Sequence, residues 1–345
     1  MEIIEHHTGT DHERVLGCRD EANGYRGIIA IHSTRLGPAL GGARFWNYAS
    51  EEEALVDVLR LSRGMTYKNA LAGLPFGGGK SIIIGDNRTT RRESLFRSHG
   101  RFVETLGGSY ITAEDVGTST ADMEYVSLET RHVGGLADRS GDPSPVTARG
   151  VFRAMQAAAR HRWGTDEIAG RTVALQGCGH VGYYLAKELR EAGAKLIVTD
   201  VDRERVERVM DECAAESVRP EEIYACEADI FAPCALGGIL NDRTLPQLKV
   251  EIVAGAANNQ LLDARHGEAL AARDILYAPD YAANAGGVIN GCIELLNWAQ
   301  AESRAKVEAI YDTLLEIFQL AESGGIPTYK AADQLAEARL QHVHA

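Results

Sequence analysis

Two features of the sequence predict an α/β protein of two domains. In the second half, a buried-strand run Thr172–Gln176 (TVALQ), three glycines, an apolar-faced helix pattern and a second strand run Lys195–Thr199 (KLIVT) follow in order. In the first half, strand-like runs such as Arg26–His32 (RGIIAIH) alternate with helical patterns, and the Pro-rich stretch SGDPSPVT (Ser140–Thr147) marks a boundary. A chain of 345 residues is long for one core. The expected division is 1–140 for a first α/β domain and 141–327 for a second. A last amphipathic helix, about 328–345, is expected to pack back on the first domain.

Bulk composition narrows the class. With 45% apolar and 25% charged residues the chain reads as globular. A formal charge of −13 and a pI near 5.4 argue against nucleic acid or an anionic membrane as a partner. No run of about 18 apolar residues occurs, and the start (MEIIEHHTGTDHERV) has neither a basic n-region nor an apolar h-region. A cytoplasmic location is therefore expected. The cysteines (Cys18, Cys178, Cys213, Cys226, Cys234 and Cys292) lack C-x-x-C spacing, so reduced thiols and no metal site are expected.

Along the first half, the loop LGPALGG (Leu36–Gly42) follows the Arg26–His32 strand. Ser50 and Glu53 form a capping-box pattern, and Leu55, Val58, Leu59 and Met65 recur at helical spacing. That helix delivers Met65 and Lys68 at its C-terminal end. The stretch GMTYKNALAGLPFGGGKSIIIGD (Gly64–Asp86) then brings Gly77, Gly78 and Gly79 to Lys80, ahead of the strand-like Ile82–Ile84. Two readings stand here: a glycine turn before a strand with two solvated lysines, or a loop whose missing Cβ atoms admit a small ligand. A phosphate-binding P-loop is excluded, because Leu74 occupies the required glycine position and no helix pattern follows the lysine. A helix at about Arg91–Leu106 and a strand at Ser109–Thr112 precede Asp115. As a lone loop carboxylate, Asp115 reads either as a solvated or capping group or, at a strand end beside Gly117, as a catalytic one.

In the second half, Thr147 opens a helix expected to run to about Arg162. Gly177, Gly179 and Gly182 then stand in G-x-G-x-x-G order between strand and helix, and Asp200 ends the next strand. Strand, glycines, helix, strand and acid in this sequence indicate a Rossmann dinucleotide site. Gly177 makes the turn, Gly179 admits the pyrophosphate at the helix N-terminus beside His180 and Val181, and Gly182 packs helix on strand. Asp200 accepts from a ribose 2′-hydroxyl, which points to NAD. Further strand runs at Ile230–Ala232, Ile252–Ala254 and Ile275–Ala278 carry Asn258 and Asn259 past one carboxyl end, where ligands of open parallel sheets bind. Asx-turn residues are the alternative reading of these two asparagines. Val307, Ile310, Tyr311, Leu314, Ile317 and Phe318 fit one face of a long helix.

Taken together, LGPALGG, MTYKNALAGLPFGGGK, ITAEDVGT, SGDPSPVTA, GCGHVG with IVTD, APCALGGIL, GAANNQL and YAPDYAANAGGVIN closely resemble the leucine/phenylalanine/valine branch of the glutamate dehydrogenase superfamily, leucine dehydrogenases most of all. The resemblance runs nearly end to end. It implies NAD-dependent, reversible oxidative deamination of an apolar L-amino acid to its 2-oxo acid and ammonium, in a cleft between a substrate domain and a Rossmann domain, by a homo-oligomer. It further implies Lys80 and Asp115 as catalytic groups, and Lys68 as the substrate carboxylate's partner, helped by Gly41, Gly42 and Asn258. The resemblance also places Thr147 near the nicotinamide amide, and Leu40, Ala113, Val288 and Gly291 along the side-chain pocket near Met65. Ala113 and Val288 fit the leucine pattern, whereas Gly291 stands where that pattern has valine. Phenylalanine or another aromatic amino acid is the alternative substrate. A glutamate dehydrogenase is disfavoured by Leu40, where those relatives place a lysine, and a non-catalytic NAD sensor by the presence of Lys68, Lys80 and Asp115.

Overall fold

The computed structural model describes residues 1–7, 9–137 and 141–341. Ser140, the first residue of the expected boundary, and the last residues of the expected final helix lie outside these. The chain forms two compact units. One comprises Met1–Gly141, Gly291–Trp298 and Ala336–Ala345; the other comprises Asp142–Asn290 and Ala299–Leu335.

The first unit is built on a mixed sheet. Its strands are β1 (Glu2–Glu5), β2 (Arg14–Asp20), β3 (Tyr25–Ser33), β4 (Ala39–Leu40) and β5 (Ala43–Trp46), followed by helix α1 (Glu51–Leu71), β6 (Gly77–Ile84), α2 (Arg92–Glu104), β7 (Tyr110–Ile111) and α3 (Thr120–Ser127). The order is β1-β2-β3-β6-β4-β7, with β5 also pairing β6. Strands β1, β2, β3 and β6 pair antiparallel, and β4 and β5 run parallel to β6. Side chains alternate across a strand, so the isoleucines of β3 and β6 divide between two cores. Ile29, Ile31 and Ile83 pack with Phe96, Phe102 and Val103 of α2 and Met123 and Val126 of α3. Ile28, Ala30, Ile82 and Ile84 pack with Ala54 and Val58 of α1. Lys80 has the parity of Ile82 and Ile84, which puts it on the α1 face.

Gly77, Gly78 and Gly79 are not a loop. They are the first residues of β6, all buried, and none has a positive φ. Their role is steric. A Cβ on Gly78 would collide with the backbone nitrogen of Thr66 in α1, one on Gly77 with the Ser33 carbonyl oxygen, and one on Gly79 would sit 2.7 Å from the Tyr110 ring. LGPALGG likewise contains β4 and leads directly into β5. The Ser50 hydroxyl caps α1 at the Glu53 amide (3.1 Å), while the Glu53 carboxylate reaches back to the Ala49 amide (2.8 Å).

The second unit holds a six-stranded, fully parallel sheet. Helix α4 (Ser144–Trp163) leads into β8 (Thr172–Gln176), α5 (His180–Glu191), β9 (Lys195–Thr199), α6 (Arg203–Cys213), β10 (Glu216–Ser217), β11 (Ile230–Pro233), β12 (Ile252–Val253), α7 (Ala264–Ala272) and β13 (Leu276–Tyr277). The helices α8 (Asp280–Ala283), α9 (Gly286–Leu295), α10 (Gln300–Glu308), α11 (Ile310–Gly324) and α12 (Thr328–Gln341) complete the chain. Strand order is β10-β9-β8-β11-β12-β13, so the order reverses between β8 and β11. Helix α4 begins at Ser144 rather than Thr147, because Pro145 is suited to a first helical turn. The expected long helix from Val307 is broken at Ala309 into α10 and α11. Residues Gly291–Trp298, expected with the nucleotide domain, cluster with the first unit. The Glu294 carboxylate accepts from the Gly135 amide at 2.9 Å and the Leu136 amide at 3.5 Å. Among the described residues no helix is long and apolar enough to cross a membrane.

Candidate active site

In the first unit, β5 and β6 lie side by side, and β5 is sewn to the segment that carries Asp115. The Ala43 amide donates to the Ala113 carbonyl (2.7 Å). The Thr118 hydroxyl donates to the Ala43 carbonyl (3.1 Å) and accepts from the Asp115 amide (2.8 Å). Asp115 is thereby fixed opposite β6, and Lys80 Nζ lies 3.0 Å from its Oδ2. The Lys80 side chain is 6% exposed and that of Asp115 19%.

Burial costs a lone charge several kcal/mol, and it dominates the Lys80 titration. It lowers the ammonium's pKa; Asp115 opposes this, and the nearby Arg44 adds to it, leaving Lys80 below the ordinary lysine value. Burial would raise Asp115, but the charges of Lys80 and Arg44 outweigh it and hold the carboxyl below its usual range. The pair therefore combines a dependable carboxylate with an amine that loses its proton more readily than a solvated lysine. That is the equipment for general acid–base chemistry.

Arg44 and Asp57 were not singled out from the sequence. Arg44 Nε donates to Asp115 Oδ2 (3.0 Å), the oxygen that Lys80 also contacts, and its Nη1 donates to Asp57 Oδ2 (3.0 Å). The Tyr48 hydroxyl completes the chain at 2.7 Å from the same Asp57 oxygen. No spacing signal links these residues, which come from β5, its C-terminal side and α1.

The remaining expected residues of this unit come from several of its elements. Lys68 is half-buried in the last turn of α1, one turn after Met65. The neighbouring Asn69 ties that turn to β6 by donating to the Gly77 carbonyl (2.6 Å). Leu40 is buried in β4. A Cβ on Gly41 would collide with the Gly79 carbonyl oxygen and lie 3.2 Å from Met65 Cγ; one on Gly42 would collide with the Glu114 carbonyl oxygen. The Gly41 amide donates to the Ile111 carbonyl (3.2 Å) and its carbonyl accepts from Tyr110, so Gly41 supplies shape rather than a spare backbone donor. A Cβ on Gly291 would meet nothing within 4 Å.

In the second unit, the expected dinucleotide residues gather at the carboxyl ends of the strands. Gly177 has φ +101°, and a Cβ there would lie 2.9 Å from the Cys234–Ala235 backbone at the end of β11. Gly182 stands directly over the Gly177 carbonyl oxygen, so this close packing is helix on turn. Gly179 is the N-cap of α5, ahead of His180 and Val181, and its Cβ direction is open except for Arg205 Nη1 at 3.6 Å. An open glycine at a helix N-terminus, where unpaired amides favour negative charge, fits a pyrophosphate. The Asp200 carboxylate accepts from the Cys178 amide (2.6 Å) and the Asp202 amide (2.9 Å), one to each oxygen. Each oxygen retains acceptor capacity for a ribose hydroxyl.

Thr147 donates its hydroxyl proton to the Pro143 carbonyl (2.9 Å) and lies 3.2 Å from the Cβ position of Gly287. A second group missed in the sequence is Asn284. Its Nδ2 donates to Asn258 Oδ1 (2.9 Å) and to the Ala256 carbonyl (3.0 Å), which fixes the face that the Asn258 amide presents. Asn284 Oδ1 is buried without a hydrogen-bond partner. Asn259, at φ +52°, donates its amide to Asp280 (2.8 Å), the turn role among its two readings. Val288 is half-buried in α9.

Two family models cover almost all of this chain. Residues 12–132 match the Glu/Leu/Phe/Val dehydrogenase dimerisation domain, and residues 134–204 and 198–344 match glutamate/leucine/phenylalanine/valine dehydrogenase. The chain belongs to this dehydrogenase family. It is 54% identical over 344 residues to a leucine dehydrogenase of Thermoactinomyces intermedius, covering 99% of this chain and 94% of the relative. It is 48% identical over 340 residues to a phenylalanine dehydrogenase of Caldalkalibacillus thermarum, covering 96% and 92%. The crystal structure of L-tryptophan dehydrogenase from Nostoc punctiforme superposes with a TM-score of 0.87 at 46% identity, covering 97% of each chain. The protein is accordingly an oxidoreductase and an amino-acid dehydrogenase of the leucine dehydrogenase branch, with the two-domain α/β architecture of its family.

Proposed function

We propose that this dehydrogenase carries out reversible oxidative deamination of an apolar L-amino acid, leucine or another branched aliphatic one in preference. The amino acid, NAD⁺ and water give the 2-oxo acid, ammonium, NADH and a proton. The observation that carries this reading is the buried Lys80 Nζ, 3.0 Å from Asp115 Oδ2 and held below the usual lysine pKa. NAD⁺, when bound, supplies the hydride acceptor.

The protein's own residues do the rest. Lys68, Gly42 and Asn258 are assigned to the substrate α-carboxylate. Neutral Lys80 removes a proton from the water that attacks the iminium carbon, and Asp115 exchanges protons with the amino nitrogen. Gly179 and the start of α5 are assigned to the pyrophosphate, Asp200 to the adenosine ribose and Thr147 to the nicotinamide amide. Leu40, Ala113, Val288 and Gly291 are assigned to the side chain, and the absence of a cation at Leu40 speaks against glutamate. The description of the N-terminal family model as a dimerisation domain supports a homo-oligomer.

A specific observation favours a second reading of the substrate. The open space at Gly291 suits a bulkier side chain, phenylalanine among them. The test is a panel of L-amino acids with NAD⁺, following NADH. Highest kcat/KM on leucine, isoleucine or valine supports the aliphatic assignment; a tenfold preference for phenylalanine or tryptophan replaces it with the aromatic one.

A further inference from the structure

Asp115 Oδ2 is shared. Lys80 Nζ and Arg44 Nε both lie 3.0 Å from it, and Arg44 is anchored on its far nitrogen by Asp57. Given the proposed function, we propose that Arg44 is a positioning residue for the Lys80–Asp115 pair, and that Asp57 is the counter-ion that fixes it there.

The guanidinium is a rigid planar fork. With Nε on Asp115 and Nη1 on Asp57, it spans the two carboxylates and fixes the rotation of Asp115 toward β6. Its side chain is 18% exposed, so its charge is only partly screened by water. Titratable and charged groups around the pair come from several elements. Lys80 comes from β6, and Asp57 with its second partner Arg60 (3.5 Å) from α1. Tyr48 follows β5, Asp115 follows β7, and Tyr110 lies on β7 itself. Arg44 neutralises one of the two nearby carboxylates. Without it, Lys80 would be the cation facing both, and its charged form would be favoured. Arg44 and Asp57 accordingly act on Lys80 in opposite senses, the first lowering and the second raising its pKa.

The opposite signs give the test. The acid limb of the kcat–pH profile for L-leucine deamination is measured for wild type, Arg44→Met, Arg44→Lys and Asp57→Asn. In parallel, the ionisation of Lys80 is followed in the ligand-free proteins by NMR of 13C-labelled lysine side chains, assigned with Lys80→Met. Arg44→Met moves the limb and the NMR midpoint to higher pH. Below the midpoint, turnover falls roughly tenfold for each unit the limb moves. Asp57→Asn moves both to lower pH, and Arg44→Lys, which keeps the charge and loses the fork, restores the limb more than the maximum rate. Unmoved midpoints, or midpoints moving the same way in Arg44→Met and Asp57→Asn, overturn the proposal and leave the two residues a structural role. Should Arg44→Met fail to fold, Asp57→Asn and Arg44→Lys still read the effect. A wild type inactive on every amino acid overturns the proposed function instead, while the NMR midpoints still decide the role of Arg44.

Discussion

The backbone of Thr66 rests directly on Gly78, with no space between α1 and β6 for a Cβ. This contact brings the last turns of α1, with Met65 and Lys68, down on the strand that carries Lys80. Gly78→Ala is expected to force the two elements apart. Overpacking of this kind costs about 1–3 kcal/mol or more. Thermal unfolding should show a clearly lowered midpoint, and the folded fraction should lose most of its turnover. A variant with wild-type Tm and activity would show that the helix–strand spacing is not critical.

His99 is expected to make the fold acid-sensitive. It is fully buried, its Nδ1 is 2.9 Å from the Tyr25 hydroxyl, and burial pushes its pKa down to about 3. In the unfolded chain a histidine titrates near pH ~6.5. The unfolded state therefore takes up a proton that the folded state refuses, and stability is complete above about pH 6.5 and falls as the pH drops toward 3. Between about pH 6.5 and pH 5 this one group removes about 2 kcal/mol. Urea unfolding at the two pH values should show that loss in wild type and a clearly smaller one in His99→Gln. Equal losses would assign the acid sensitivity to other groups.

Gly291→Val tests the side-chain pocket. Since a Cβ at Gly291 would meet open space, the substitution is expected to fold normally and narrow the pocket. Differences of one methylene in apolar pockets discriminate roughly 10- to 200-fold. Activity on phenylalanine should fall by more than activity on leucine, measured as the ratio of kcat/KM values. An unchanged ratio would remove Gly291 from the pocket.

Cofactor choice should follow Asp200. A carboxylate already oriented by the Cys178 and Asp202 amides would meet a 2′-phosphate with like charge. Nearby Arg203 and Arg205 are paired, with Glu207 and Asp202 at 3.0 Å each, which reduces their availability to offset it. Wild type is expected to prefer NAD⁺ strongly by kcat/KM, and Asp200→Asn to narrow that preference. Equal use of NAD⁺ and NADP⁺ by wild type would refute the role of Asp200.

What was legible in the sequence was local. The TVALQ strand, the three spaced glycines, the KLIVT strand and Asp200 occupy one continuous stretch, and their elements fall at Thr172–Gln176, His180–Glu191 and Lys195–Thr199. The family resemblance gave Lys80 and Asp115 as catalytic groups but not their contact at 3.0 Å, since nothing in the spacing of two residues on separate elements requires it. The glycine triplet was misread as a loop. Glycine carries little strand propensity, and its reason for being in β6 is a helix distant in sequence. Arg44, Asp57 and Asn284 were missed because each looks alone like a surface polar residue. Their roles exist only through partners on other elements. The same holds for Gly291–Trp298, whose grouping with the first unit rests in part on Glu294 and two distant amides.

The most direct test of the proposed chemistry is the steady-state turnover of Lys80→Ala on L-leucine with NAD⁺, together with a titration of NAD⁺ binding. Loss of a general base typically costs about 10²- to 10⁴-fold in rate. The expected result is a kcat reduced by that order with NAD⁺ affinity within a fewfold of wild type, since Lys80 lies in the first unit and the assigned dinucleotide residues in the second. A kcat within a fewfold of wild type would contradict the assignment of Lys80 as the base.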